Sequence, residues 1–219
     1  MRNSAFPAAV LWDMDGTLID SEPYWLASES AFAAAHDSNW GQDDGLGVIG
    51  MSLYESSKLL KERVGSSLEP QQIIDQITDG VLSQLERAIP WRPGARELLK
   101  LLKDNNVKTA LVTGSMHRMA QKVAEQIGFE AFDVILGGDD VVKGKPHPES
   151  YLTAASMLGV DPTHCVAFED SLTGITAAEA AGTKAVGIAH IVEIPMAENR
   201  ILWPTLEGVQ MNDLRALFS

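Results

Sequence analysis

Short apolar runs bounded by turn residues recur along this chain and constrain it to a layered fold: AAVLWD (8–13), KTALVTG (108–114), DVILGG (133–138), HCVAFED (164–170) and KAVGIA (184–189). Each is short and apolar almost throughout, the mark of a strand buried on both faces of a sheet. Between them the apolar spacing turns helical, over Gly94–Asp104, Ser115–Ile127, Glu149–Leu158 and Ser171–Ala181. Such alternation predicts an α/β fold, a Rossmann-like doubly wound parallel sheet. It breaks between Glu22 and Pro90, where the pattern is helical over Tyr24–Ala35, Leu53–Val64 and Gln71–Arg87. Pro23 punctuates one end of that stretch and Ile89-Pro90-Trp91-Arg92-Pro93-Gly94 the other. The expected organisation is a core of residues 1–22 and 91–219 with an inserted α-helical cap domain, 23–90.

Composition narrows the setting. The 219 residues are 45% hydrophobic and 21% charged, which suits a packed core. A single cysteine, Cys165, excludes an internal disulfide and a multi-cysteine metal site, so a reducing compartment, the cytoplasm, is expected. The run AFPAAVLW is too short for a secretion signal, and no apolar stretch approaches the roughly 18 residues of a membrane span. With 17 basic against 30 acidic side chains the net charge is −13, which argues against general nucleic-acid binding. The charge is uneven: residues 3–57 hold nine acids and no Lys or Arg. No coiled-coil pattern or exposed apolar stripe calls for a dimer, and a monomer is expected.

Ligands of open parallel sheets sit beyond the carboxyl ends of the strands. There the chain places Asp13-Met14-Asp15-Gly16-Thr17, Thr113-Gly114-Ser115 and Glu169-Asp170-Ser171, with Lys145 in the loop GKPHPES. Clustered acids with no nearby His or Cys point to a hard cation such as Mg2+, with Asp13, Asp170 and the backbone carbonyl of Asp15 as ligands. Phosphoryl transfer to a carboxylate needs such a set, one acid attacking phosphorus and a second handling protons. Thr113 and the amides of Gly114 and Ser115, at an expected helix start, form an anion site.

These four motifs, in this order and at these separations, resemble those of the haloacid dehalogenase superfamily, and the helical insertion resembles its α-helical cap. The resemblance covers nearly the whole chain. It implies that Asp13 is the nucleophile and forms an aspartyl-phosphate, that Asp15 protonates the leaving oxygen and then activates water, and that Thr113 holds the phosphoryl group. Lys145 would pair with Asp13 and the phosphate, and Asp170 with Glu169 would hold Mg2+. Whether Glu169 is a direct ligand, acts through water or lies behind the ligands is left open by the residues alone. Retention of Asp15 favours phosphate chemistry over dehalogenation. The β-phosphoglucomutase branch carries a His where this chain has Trp25, and basic residues where it reads Val48-Ile49-Gly50-Met51-Ser52-Leu53. Ser21-Glu22-Pro23-Tyr24-Trp25 is instead similar to sugar-phosphate phosphatases. The expected activity is therefore hydrolysis of small phosphorylated metabolites, with a hexose-phosphate mutase as the alternative. A receiver-type signalling domain fits poorly, because it lacks a helical insertion. Glu22, Trp25, Gly50 and Met51 are the cap's candidate substrate contacts.

Other signals have plainer readings. Gly45-Leu46-Gly47-Val48-Ile49-Gly50 matches a dinucleotide fingerprint but follows an acidic loop, not a strand, and reads as a flexible cap loop. Gly144-Lys145 is no phosphate loop, since Pro146 stands where Ser or Thr is required. Lys143 competes with Lys145, the Lys-Pro pair favouring the latter. His147 reads as a solvated loop residue, and Cys165 as a packed thiol.

Overall fold

The computed structural model describes residues 7–198 and 200–219. Along the chain run β1 (Ala9–Trp12), α1 (Glu22–Ala34), α2 (Gln42–Leu46), α3 (Leu53–Val64), α4 (Pro70–Leu85), α5 (Ala95–Asp104), β2 (Lys108–Val112) and α6 (His117–Glu125). They are followed by β3 (Val134–Leu136), α7 (Glu149–Leu158), β4 (Cys165–Glu169), α8 (Leu172–Ala180), β5 (Lys184–Gly187), β6 (Ile201–Leu202) and α9 (Met211–Ala216). Two compact units result, the stretch up to Ile19 with Trp91–Ser219, and Asp20–Pro90.

The larger unit is a parallel sheet in the order β3-β2-β1-β4-β5-β6. From β1 the chain winds outward one way through β2 and β3, then returns to the other side of β1 and winds outward through β4 to β6. The crevice between β1 and β4 is thus the topological switch point, where doubly wound sheets bind ligands. Burial on both faces explains the apolar strands: every residue of β1 is 0% exposed. Leu11, Val112 and Ala167 pack with Tyr151, Ala154 and Leu158 of α7 and Ile175 and Ala178 of α8. Trp12, of opposite parity on its strand, packs against Phe168 in a tilted pair, with ring centroids 4.9 Å apart.

Residues 20–90 form a helical unit in which α1 and α3 pack against α4. Phe32, Leu60, Ile73, Ile77, Val81 and Leu85 fill its interior. Ser52 caps α3 by accepting the Glu55 N–H, and α4 opens with Pro70 in a position that needs no amide donor. Ile19 bridges to Trp91, and the Asp20 N–H donates to the Pro90 carbonyl, so the chain's two passages between the units run side by side.

Four elements depart from the sequence reading. Helix α2 occupies part of the expected cap loop, because Gly45 lets it lie against α1: a Cβ there would stand 2.8 Å from Leu26 Cδ1. The glycine serves close packing, with Gly50 further on at φ +80. The two-residue strand β6 and short α9 are too brief for a periodicity to register. Helix α6 begins at His117, two residues beyond the expected start, since the His117 N–H is capped by the distant Asp139 Oδ1 at 2.7 Å.

Candidate active site

Parallel register brings the strand ends together. Trp12 is level with Leu111 and Phe168, so the next residue, Asp13, leaves the sheet beside the ends of β2 and β4. Its N–H still donates to Phe168 O at 3.0 Å, and its carboxyl is nearly buried. After it the chain folds back on itself, Leu18 and Ile19 donating to Met14 O and Gly16 donating to Ile19 O. Gly16 has φ +82, and a Cβ on it would stand 1.9 Å from Asp170 Oδ2. Only glycine lets this turn pass so close to the acid.

Lys145 Nζ lies 2.6 Å from Asp13 Oδ1, 2.6 Å from Glu169 Oε1 and 2.9 Å from Val112 O. An ammonium has three N–H donors, and all three are engaged. Lys143, the competing lysine, is exposed, its amide donating to Glu149. His147 is largely exposed too, its Nδ1 accepting the Glu149 N–H.

Asp13, Glu169 and Asp170 each offer an oxygen, all within 4.8 Å of one another. Burial, then the neighbouring Glu169, pushes the Asp13 carboxyl from 3.8 up to about 7 against the pull of Lys145. Burial, then Asp13 and Glu169, raises Asp170 well above the ordinary range. Burial alone would lower Lys145, but Asp13 and Glu169 together hold it above its usual value. Three acids crowd one buried lysine, and the raised Asp13 and Asp170 carboxyls answer negative charge that water does not screen.

The second acid of the first motif stands among hydroxyls. Asp15 Oδ2 accepts from Ser115 Oγ at 2.7 Å and from Thr113 Oγ1 at 3.2 Å, while the Ser115 N–H donates to Thr113 Oγ1 at 3.0 Å. The Thr113–Ser115 loop is tied down by residues that sequence reasoning missed. Gly138 N–H donates to Ser115 O, and His117 Nδ1 pairs with Asp140 Oδ2 at 2.5 Å. A Cβ on Gly138 would stand 2.3 Å from Gly114 O, so the Gly137-Gly138 pair was the available signal of close backbone approach.

The candidate cap contacts lie in the helical unit. Glu22 opens α1, Gly50 and Met51 form the turn before α3, and Met51 is exposed. Trp25 is buried and lines a small pocket with Glu29, Ser57, Leu60, Ile74 and Ile77. Burial pushes the Cys165 thiol up to about 11, as a packed, unreactive thiol requires.

A doubly wound sheet with a buried lysine-carboxylate pair and an acid cluster at its switch point has the architecture of an α/β enzyme with its site at the strand ends. Residues 7–182 match the model of the haloacid dehalogenase-like hydrolases, and the chain belongs to that family. Hexitol phosphatase B of Escherichia coli is 31% identical over 194 residues, 87% of this chain and 86% of its own length. The β-phosphoglucomutase of Bacillus subtilis is likewise 31% identical, over 190 residues and 83% of each chain. Among solved structures, CbbY of Rhodobacter sphaeroides in complex with xylulose-1,5-bisphosphate superposes with TM-score 0.80 at 25% identity, over 92% of this chain and 95% of that one. Overall identity does not separate phosphatase from mutase, so the residues must.

Proposed function

We propose that this enzyme is a cytoplasmic, monomeric, Mg2+-dependent phosphatase that hydrolyses small phosphorylated metabolites, sugar phosphates in particular, through an aspartyl-phosphate on Asp13. The observation that carries the reading is the placement of Asp13 Oδ1 on Lys145, with the Asp15 carboxylate two residues on held by Thr113 and Ser115. In the first half-reaction Asp13 attacks phosphorus, the ester P–O bond breaks, and the departing alkoxide takes a proton from Asp15. In the second, water gives a proton to Asp15 and attacks phosphorus, the bond to Asp13 breaks, and inorganic phosphate leaves. Thr113 and the Gly114–Ser115 segment orient the phosphoryl oxygens, and Lys145 holds Asp13 in line.

The donor set suits a hard divalent cation: oxygens only, within reach of one another, and too negative for one lysine to balance. Asp13, Asp170 and the backbone carbonyl of Asp15, with Glu169, would hold Mg2+. Bound there, it neutralises charge on the acids and on the phosphoryl group.

The helical unit, residues 20–90, is the proposed source of substrate selectivity, through Glu22 near its entry and Trp25, Gly50 and Met51. Against a mutase stand Trp25 in place of the histidine of that branch and the lack of any Lys or Arg from residue 3 to residue 57 to hold a second phosphate. Phosphate release from a panel of phosphorylated metabolites tests the reading. Asp13→Asn and EDTA treatment should each abolish it; full activity in either case refutes the mechanism. An isomerised sugar phosphate as product would establish the mutase instead.

A further inference from the structure

Tyr151, in the first turn of α7, is assigned no part by the motifs, yet it touches both Lys145 and that lysine's partner Glu169. It is 0% exposed and its ring is packed in the core with Ala154 and Leu158. Its hydroxyl donates to Glu169 Oε1, the same oxygen that accepts from Lys145. Its ring faces Lys145, with Nζ 5.2 Å from the centroid. On its far side the Glu169 carboxylate fills the space of a missing side chain: a Cβ on Gly174 would stand 1.9 Å from Oε2.

We infer that Tyr151 is a positioning residue for the reaction, its hydroxyl fixing Glu169 so that Glu169 in turn anchors Lys145 beside Asp13. The geometry supports this through the valence of the ammonium. Lys145 is aimed by three acceptors, two of which, Asp13 Oδ1 and Val112 O, belong to β1 and β2 or the residues that follow them. The third, Glu169 Oε1, stands at the end of β4 on a side chain one rotatable bond longer than that of Asp13, and its orientation depends on what holds the carboxylate. The tyrosine supplies that hold from a helix packed against the sheet. Without the hydroxyl the ring still fills its place, so the variant removes the restraint and little else.

The inference rests on the proposed phosphatase reading for its kinetic arm only. Tyr151→Phe should lower kcat about tenfold with KM changed less than twofold, and the same substitution in a Glu169→Gln background should cost nothing further. Wild-type kcat, or an equal loss in both backgrounds, overturns the inference. A second readout needs neither substrate nor metal: the 15N-resolved ammonium signal of Lys145, identified by its loss in Lys145→Met, should be sharp in the wild type and broadened by exchange in Tyr151→Phe. An unchanged signal also overturns it. If the wild type releases no phosphate from any substrate, the phosphatase reading fails while the ammonium spectrum still decides the role of Tyr151. Should Tyr151→Phe fold poorly, Tyr151→4-aminophenylalanine, which restores a donor, is compared with Tyr151→4-methylphenylalanine. Sharp signal and activity in the first alone support the inference; equal behaviour refutes it.

Discussion

Glu29 is a carboxyl buried inside the helical unit, 7% exposed, beside a pocket lined by Trp25, Leu60, Ile74 and Ile77. The Trp40 indole Nε1–H donates to its Oε2 at 2.8 Å. Burial pushes its pKa from 4.5 up to about 7, and the indole offsets only part of that. The folded state therefore holds a proton on Glu29 that the unfolded chain releases between those two values. Stability falls as pH rises from about 4.5 to about 7 and stays lowered above it. At about 1.4 kcal/mol per pKa unit the ionised side chain costs on the order of 3 kcal/mol at pH 8. Glu29→Gln keeps the shape and the acceptor for Trp40 but cannot ionise. Its melting temperature relative to wild type should rise between about pH 5 and pH 7 and level off by pH 8, by about 5–10 °C in all for a chain of this size. Scanning calorimetry of both proteins across that range isolates the effect, because every other titrating group is common to the two. Any fixed offset from the new amide shifts the curve without changing its slope. A difference that does not vary with pH would refute the reasoning.

Two further outcomes follow from the acid cluster. Mg2+ at about a hundred times its Kd should stabilise the protein by about 2.7 kcal/mol, several degrees in melting temperature, and Asp170→Ala should remove that rise; an equal rise in the variant would place the metal elsewhere. Gly174→Ala drives a methyl group into the Glu169 carboxylate and should reduce kcat about a hundredfold with unchanged circular dichroism; a wild-type rate would show that the carboxylate is not seated there.

Much of the candidate site was legible because each of its charged side chains is announced locally. Asp13 and Asp15 end one apolar run, Glu169 and Asp170 another, and Lys145 precedes a proline in a loop. Tyr151 was not legible: in an amphipathic helix an aromatic residue reads as core, and nothing near it in sequence shows that its hydroxyl meets a residue 18 positions away. The same holds for the Asp139 and Asp140 carboxylates that cap α6 and pair with His117 across 22 and 23 residues.

By itself the sequence determined the α/β class, the helical interruption and the identity of the acids at the strand ends, since burial on two faces and helical periodicity are written into runs of a few residues. It also determined the net charge and placed most of it in residues 3–57. Only the tertiary structure decided that Lys145 spends all three of its N–H groups, that Asp15 rests on Ser115 and Thr113, and that Trp25 lines a pocket with Glu29 and Leu60. Those outcomes depend on which strands lie side by side and in what register. That choice is made by contacts between residues as far apart as Asp13 and Lys145, 132 positions along the chain, where local pattern carries no information.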